Sequence, residues 1–174
     1  MLTLRCTKKI LDRFDAEPEE NPPSSTTLLG DWYVKPVSLP YPGRSVVIFV
    51  SAKAFPTVIL EGRGRKDMPA LFRERMLDLL QRLDLPTGLA EHERAESEKM
   101  TIARTASRSV LGTMNEIERG IRAHCEYHDL RYEEISWSEL EEKESETLHN
   151  PKQFDTYRRP IDVAREIWEA SEES

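Results

Sequence analysis

Two stretches of this sequence carry the residue types that hold anions. Leu4-Arg5-Cys6-Thr7-Lys8-Lys9 and Ile102-Ala103-Arg104-Thr105-Ala106-Ser107-Arg108-Ser109 each run from a strand-like segment into hydroxyls and cations at a helix start. The first turn of a helix has backbone N–H groups without intrahelical partners, and its dipole favours negative charge. If the two strands are neighbours, Thr7, Lys8, Lys9, Arg104, Ser107, Arg108 and Ser109 converge on one phosphate-sized site. The commoner fate of such residues is plainer: Thr7 and Ser109 cap their helices and the cations are solvated. No Walker lysine loop and no GxGxxG turn accompanies them, and no other cofactor-binding pattern is present.

Other candidates carry less. Gly62-Arg63-Gly64-Arg65-Lys66 is a flexible basic loop of the kind that lies along a nucleic-acid backbone, but three cations release few counterions, and no RNP-like aromatic pair accompanies them. His124, Cys125 and His128 share a helix face, yet Cys125 continues an apolar stripe, which favours a buried thiol beside two boundary histidines over a metal site. Cys6, between Arg5 and Lys8, has the surroundings of a low-pKa thiol but no identifiable base, so a packed strand-end cysteine is the simpler reading. Neither a Ser-His-Asp order nor a paired-carboxylate signature can be named.

The elements that must position these residues follow from composition and periodicity. The 174 residues suit one core of mixed layers, and the longest apolar run, Val46 to Val50, is strand-length and far short of a bilayer span. The opening residues lack the order of a secretory signal, and the two cysteines lack CxxC spacing; a cytoplasmic protein with reduced thiols is expected. The net charge of −7 conceals a split, with 17 Lys/Arg against 15 Asp/Glu in residues 1–110 and 8 against 17 in residues 111–174.

Strands are expected at Leu2–Cys6, within Leu28–Leu39, at Ser45–Ser51, Thr57–Leu60 and Met100–Thr105. The short connection Ala52 to Pro56 makes an antiparallel meander the economical arrangement. Helices are expected after Thr7, from Met68 towards Pro86, over Glu91–Lys99, and from Ser107 or Ser109 through Cys125, where Val110, Met114, Ile117 and Ile121 form one stripe. Further on, Leu130 to Trp137 reads as an edge strand, Ser138 opens an acidic helix, and Pro160 begins a last one. The fold class is α+β: a small, mainly antiparallel sheet packed against two to four helices. An acidic, helical C-terminal extension at 129–174 follows a core domain at 1–128.

Leu4-Arg5-Cys6-Thr7-Lys8-Lys9, Gly30-Asp31-Trp32-Tyr33 and Thr105-Ala106-Ser107-Arg108-Ser109-Val110-Leu111-Gly112-Thr113-Met114-Asn115 resemble the signature segments of an uncharacterised prokaryotic domain family of unknown function. The resemblance spans about residues 1–120 and brings no activity with it. It implies that Thr7, Lys8, Asp31, Trp32, Ser107, Arg108, Gly112 and Asn115 occupy the family's motif positions.

The function expected from these readings is a non-enzymatic binding or regulatory module. Its core would present a phosphate- or anion-recognising patch, and the acidic C-terminal part would engage a protein partner or fold over the chain's own cations. One alternative is a nucleic-acid-associated component of a plasmid, phage-defence or toxin–antitoxin system. The other is an enzyme acting on a phosphorylated substrate, with Arg108 and Lys8 stabilising charge and Asp31 as base.

Overall fold

In the strand Ser45–Ser51 the side chains alternate between two faces, and both sets are buried: Val47 and Phe49 on one side, Val46, Ile48 and Val50 on the other. A strand apolar on both faces must sit inside a sheet covered on both sides. The computed structural model, which describes residues 1–174, has that three-layer arrangement. Its strands are β1 (Leu2–Cys6), β2 (Trp32–Ser38), β3 (Ser45–Ser51), β4 (Thr57–Glu61) and β5 (Met100–Arg104), in the order β4-β3-β2-β1-β5. The helices are α1 (Lys8–Phe14), α2 (Met68–Arg82), α3 (Thr87–Glu96), α4 (Arg108–Tyr127), α5 (Trp137–Glu146) and α6 (Pro160–Glu172).

On one face, Leu2, Leu4, Trp32, Val34 and Phe49 meet α1, α2, α3 and α6, with Phe72 stacked on Phe49 at 4.5 Å and set edge-on to Trp32 at 5.0 Å. On the other face, Tyr33, Val37, Ile48 and Val50 meet the stripe Val110, Met114, Ile117 and Ile121 of α4 and Leu140 of α5. Both layers are dictated by the side-chain periods of strand and helix.

The class is α+β, with four helices in residues 1–128 and two in the acidic C-terminal part. The meander β2-β3-β4 is antiparallel throughout. β1 pairs in parallel with both β2 and β5, which needs the long crossovers that α1, α2 and α3 provide.

Local boundaries differ from the sequence reading in three places. The charged helix begins at Thr87, directly after Pro86, and ends at Glu96, because Leu89 and Ala90 are already buried in its first turn. Leu130 to Trp137 is not an edge strand: Tyr132–Glu134 forms a single 3₁₀ turn, and the hydroxyl of Tyr132 donates to Glu61 at 2.6 Å. The edge of β4 is taken instead by α5, which opens at Trp137 and is capped by Ser136 rather than Ser138, the Ser136 hydroxyl oxygen accepting the Glu139 N–H. The opposite edge, at β5, is met by the 17–27 loop, where the Glu19 N–H donates to the Ile102 carbonyl at 2.8 Å. No helix is long and apolar enough to cross a membrane.

Candidate functional site

β1 and β5 lie side by side, in parallel and in register, from Leu2↔Met100 to Cys6↔Arg104. The chain therefore leaves both strands at the same edge of the sheet. From there α1 turns onto one face, burying Ile10, Leu11 and Phe14, and α4 turns onto the other, burying Val110 and Met114. Neighbouring parallel strands whose following helices depart to opposite faces leave a crevice outside their carboxyl ends, where α/β sheets take ligands.

The residues at this edge divide into those that hold the fold and those that are free. Ser107 is a true cap, its Oγ accepting the Val110 N–H at 3.3 Å, and its own N–H donates to the Tyr33 hydroxyl at 3.1 Å. Thr7 does not cap with its side chain. Its N–H donates to the Val34 carbonyl, its carbonyl accepts from Ile10 and Leu11, and its Oγ1 is shielded from solvent without a partner. The Oγ of Ser109 is likewise shielded and unpartnered. Lys8, Lys9, Arg104 and Arg108 are exposed, and none of them forms an ion pair.

A cleft of about 200 Å³ opens beside the start of α4, lined by Arg108, Ser109, Gly112, Thr113, Glu116, Asn150 and Lys152 among others. Asn150 and Lys152 come from the segment before α6. The sequence marked Asn150-Pro151 only as a helix break, and nothing local signals that this break returns to α4.

Three motif positions stand apart from this group. The Asp31 carboxylate is paired with Arg5 at 2.6 Å, while the Arg5 guanidinium also donates to the Arg104 carbonyl at 3.2 Å. Trp32 is fully buried against Phe72, its indole N–H without a partner. Asn115 accepts from Lys35, which also pairs with Glu118. Neither Lys8 nor Asp31 lines the cleft that holds Arg108.

The remaining sequence candidates are placed as follows. In the basic loop, Arg65 is paired with Asp67 and Lys66 with Asp15, leaving Arg63 without an acidic partner. Burial pushes the Cys6 thiol up to about 12, so it is a packing residue and not a nucleophile at neutral pH. The rings of His124 and His128 lie 4.6 Å apart, and burial with the nearby Lys143 lowers the His124 pKa. The acidic segment turns its key carboxylate inward. Glu141, fully buried, is held by Arg75 at 3.0 Å and Arg82 at 2.5 Å, and it accepts the Ile59 N–H at 2.8 Å.

A family model described as a domain of unknown function, DUF6933, matches residues 3–163. The chain belongs to this family. The match runs past the signature segments near the first 120 residues and takes in α5 and the start of α6, so most of the acidic part lies within the span of the DUF6933 domain. Searches of curated proteins and of solved structures find no match.

Proposed function

We propose that this DUF6933 domain is a non-enzymatic binding module that takes a phosphate-like oxyanion at the carboxyl edge of β1 and β5. The observation that carries the reading is the register Cys6↔Arg104, which brings two chain segments a hundred positions apart to one edge. There the N–H groups of Arg108 and Ser109 open the long helix α4, and Ser109 Oγ needs a partner. Arg108 and Lys152 supply positive charge across the cleft, and Lys8, Lys9 and Arg104 raise the potential of the same edge. The outward carboxylates Glu133, Glu139 and Glu146 leave a smaller acidic face for a protein partner, because Glu141 and Glu144 point inward.

Phosphate titrated into the full chain at low ionic strength is expected to move the amide resonances of Ser107, Arg108 and Ser109. Arg108→Gln is expected to weaken that binding by about tenfold, the worth of one charge-assisted hydrogen bond. Unmoved amides at millimolar phosphate would sink the reading. Mixed RNA and DNA serve as the second arm: steeply salt-dependent binding there, with no response to phosphate, would favour the nucleic-acid alternative instead.

A further inference from the structure

A second cleft, of about 260 Å³, is lined by three arginines and no carboxylate. Its walls come from three places that the fold brings together. Ser38 and Ser45 are the last cross-strand pair before the β2–β3 turn, which carries Arg44. The end of β4 is tied to this turn by the Gly62 N–H donating to the Ser45 carbonyl at 2.9 Å. Arg63 follows directly, and its carbonyl accepts from the Arg13 guanidinium at the end of α1. Gly64 has a positive φ of 111° and lies so close to Arg13 that an added Cβ would meet its side chain at 3.2 Å.

Charge is distributed unevenly around this cleft. The adjacent Arg65 and Lys66 each have an acidic partner, but Arg13, Arg44 and Arg63 form no ion pair. The Arg44 guanidinium carbon lies over the Tyr132 ring, 4.3 Å from its centroid. Ser45 Oγ is shielded from solvent and has no partner. Three guanidinium groups lining one cleft repel one another unless an anion lies between them, and their forked N–H donors match the oxygens of a tetrahedral oxyanion.

We propose that this cleft is a second binding site, separate from the α4 crevice, and that it takes a small phosphate monoester. Arg13, Arg44 and Arg63 surround the phosphate, Ser45 Oγ donates to one of its oxygens, and Leu39 with the ring of Tyr41 gives the organic part an apolar wall. Tyr41 is fixed for that role because its hydroxyl already donates to the Leu130 carbonyl at 2.7 Å.

The test is a titration of the full chain with inorganic phosphate, ribose 5-phosphate and ribose, followed through backbone amides. Both phosphates are expected to move Gly43, Ser45 and Arg63, ribose 5-phosphate more tightly, and ribose not at all. Arg44 and Arg63 are exposed, so Arg44→Gln and Arg63→Gln leave the core intact and should each weaken binding about tenfold or more. Arg65→Gln removes the same charge from a side chain outside the cleft and should change affinity less than threefold. Unmoved amides, or unchanged affinity in the Arg44→Gln/Arg63→Gln double variant, overturn the site. Inorganic phosphate binding as tightly as the ester overturns the monoester assignment. The α4 crevice is read separately through Ser107 and Ser109, so either site can fail without the other.

Discussion

Glu93 is a carboxylate placed where few carboxylates survive: fully buried, with Oε1 accepting the N–H groups of Leu28 at 2.7 Å and Leu29 at 3.2 Å. Its Oε2 has no partner, and burial pushes the group from its ordinary 4.5 up to about 7 despite the two backbone donors. The side chain therefore serves as an acceptor more than as a charge. Glu93→Gln keeps the acceptor and is expected to cost about 1 kcal/mol or less in urea unfolding at neutral pH. Glu93→Ala leaves the buried Leu29 N–H and the half-buried Leu28 N–H unpaired and is expected to cost about 3 kcal/mol. Equal losses in the two variants would show that the hydrogen bonds are not what Glu93 contributes. Nothing in the charged run Glu91 to Lys99 marks this residue, because its partners lie some 65 positions earlier in the chain. Arg104, Ser107, Arg108 and Ser109 were legible as a helix start, since the signal is local: hydroxyls and cations directly after an alternating strand. Asn150 and Lys152 were not, because only the packing of the segment before α6 brings them to α4.

Among the elements, strands and apolar helices were readable because burial writes its period into the sequence. Val46 to Val50 reads as a buried strand, and the stripe from Val110 to Ile121 as the apolar face of a helix; that this helix lies on the face of β3 carrying Ile48 and Val50 came only from the structure. What covers the sheet edges was not readable, since an edge can be closed by a strand, a loop or a side chain with equal local logic. The edge of β4 is closed by one carboxylate of α5. Glu141 accepts the outward N–H of Ile59 and is clamped by Arg75 and Arg82 of α2, with Ser138 holding the Arg75 guanidinium at 2.7 Å. Burial raises its pKa while the two arginines and the Ile59 N–H oppose that shift. Glu141→Ala takes the only carboxylate partner from Arg75 and the acceptor from the Ile59 N–H, while Arg82 keeps Asp78 at 2.8 Å and Glu142 at 2.6 Å, and a loss of about 3 kcal/mol is expected. Hydrogen exchange at the Ile59 amide should accelerate well beyond that of Val47 and Phe49, which stay inside the sheet. If Ile59 keeps its protection in the alanine variant, the carboxylate is not what closes the edge.

For the molecule as a whole, the charge of −7 matters less than where individual carboxyls are placed. Glu93 is one of two whose burial pushes them up to about 7; the other is Glu144, set between α5 and α4, where Gly120 leaves room for its carboxylate at 3.1 Å from an added Cβ. Both bind a proton more readily in the folded chain than in the unfolded one. Their contribution to stability is therefore full below about pH 4.5 and lost as pH rises through about 7. His149, buried with its ring 3.4 Å from the Glu144 carbonyl, has a lowered pKa and runs the other way: its contribution is full above about 6.5 and lost as pH falls. From about pH 5 upward the two carboxyls together lose more than the one histidine gains, so the combined contribution of these three groups falls toward neutrality. Unfolding free energy is expected to fall by on the order of 2 kcal/mol between pH 6 and pH 8, with each carboxyl contributing comparably. The Glu93→Gln/Glu144→Gln variant cannot ionise at either position, so its urea midpoint should hold steady or rise over that range. A wild-type curve flat from pH 6 to pH 8, or a double variant that declines as steeply, would mean that these two carboxyls ionise at ordinary values.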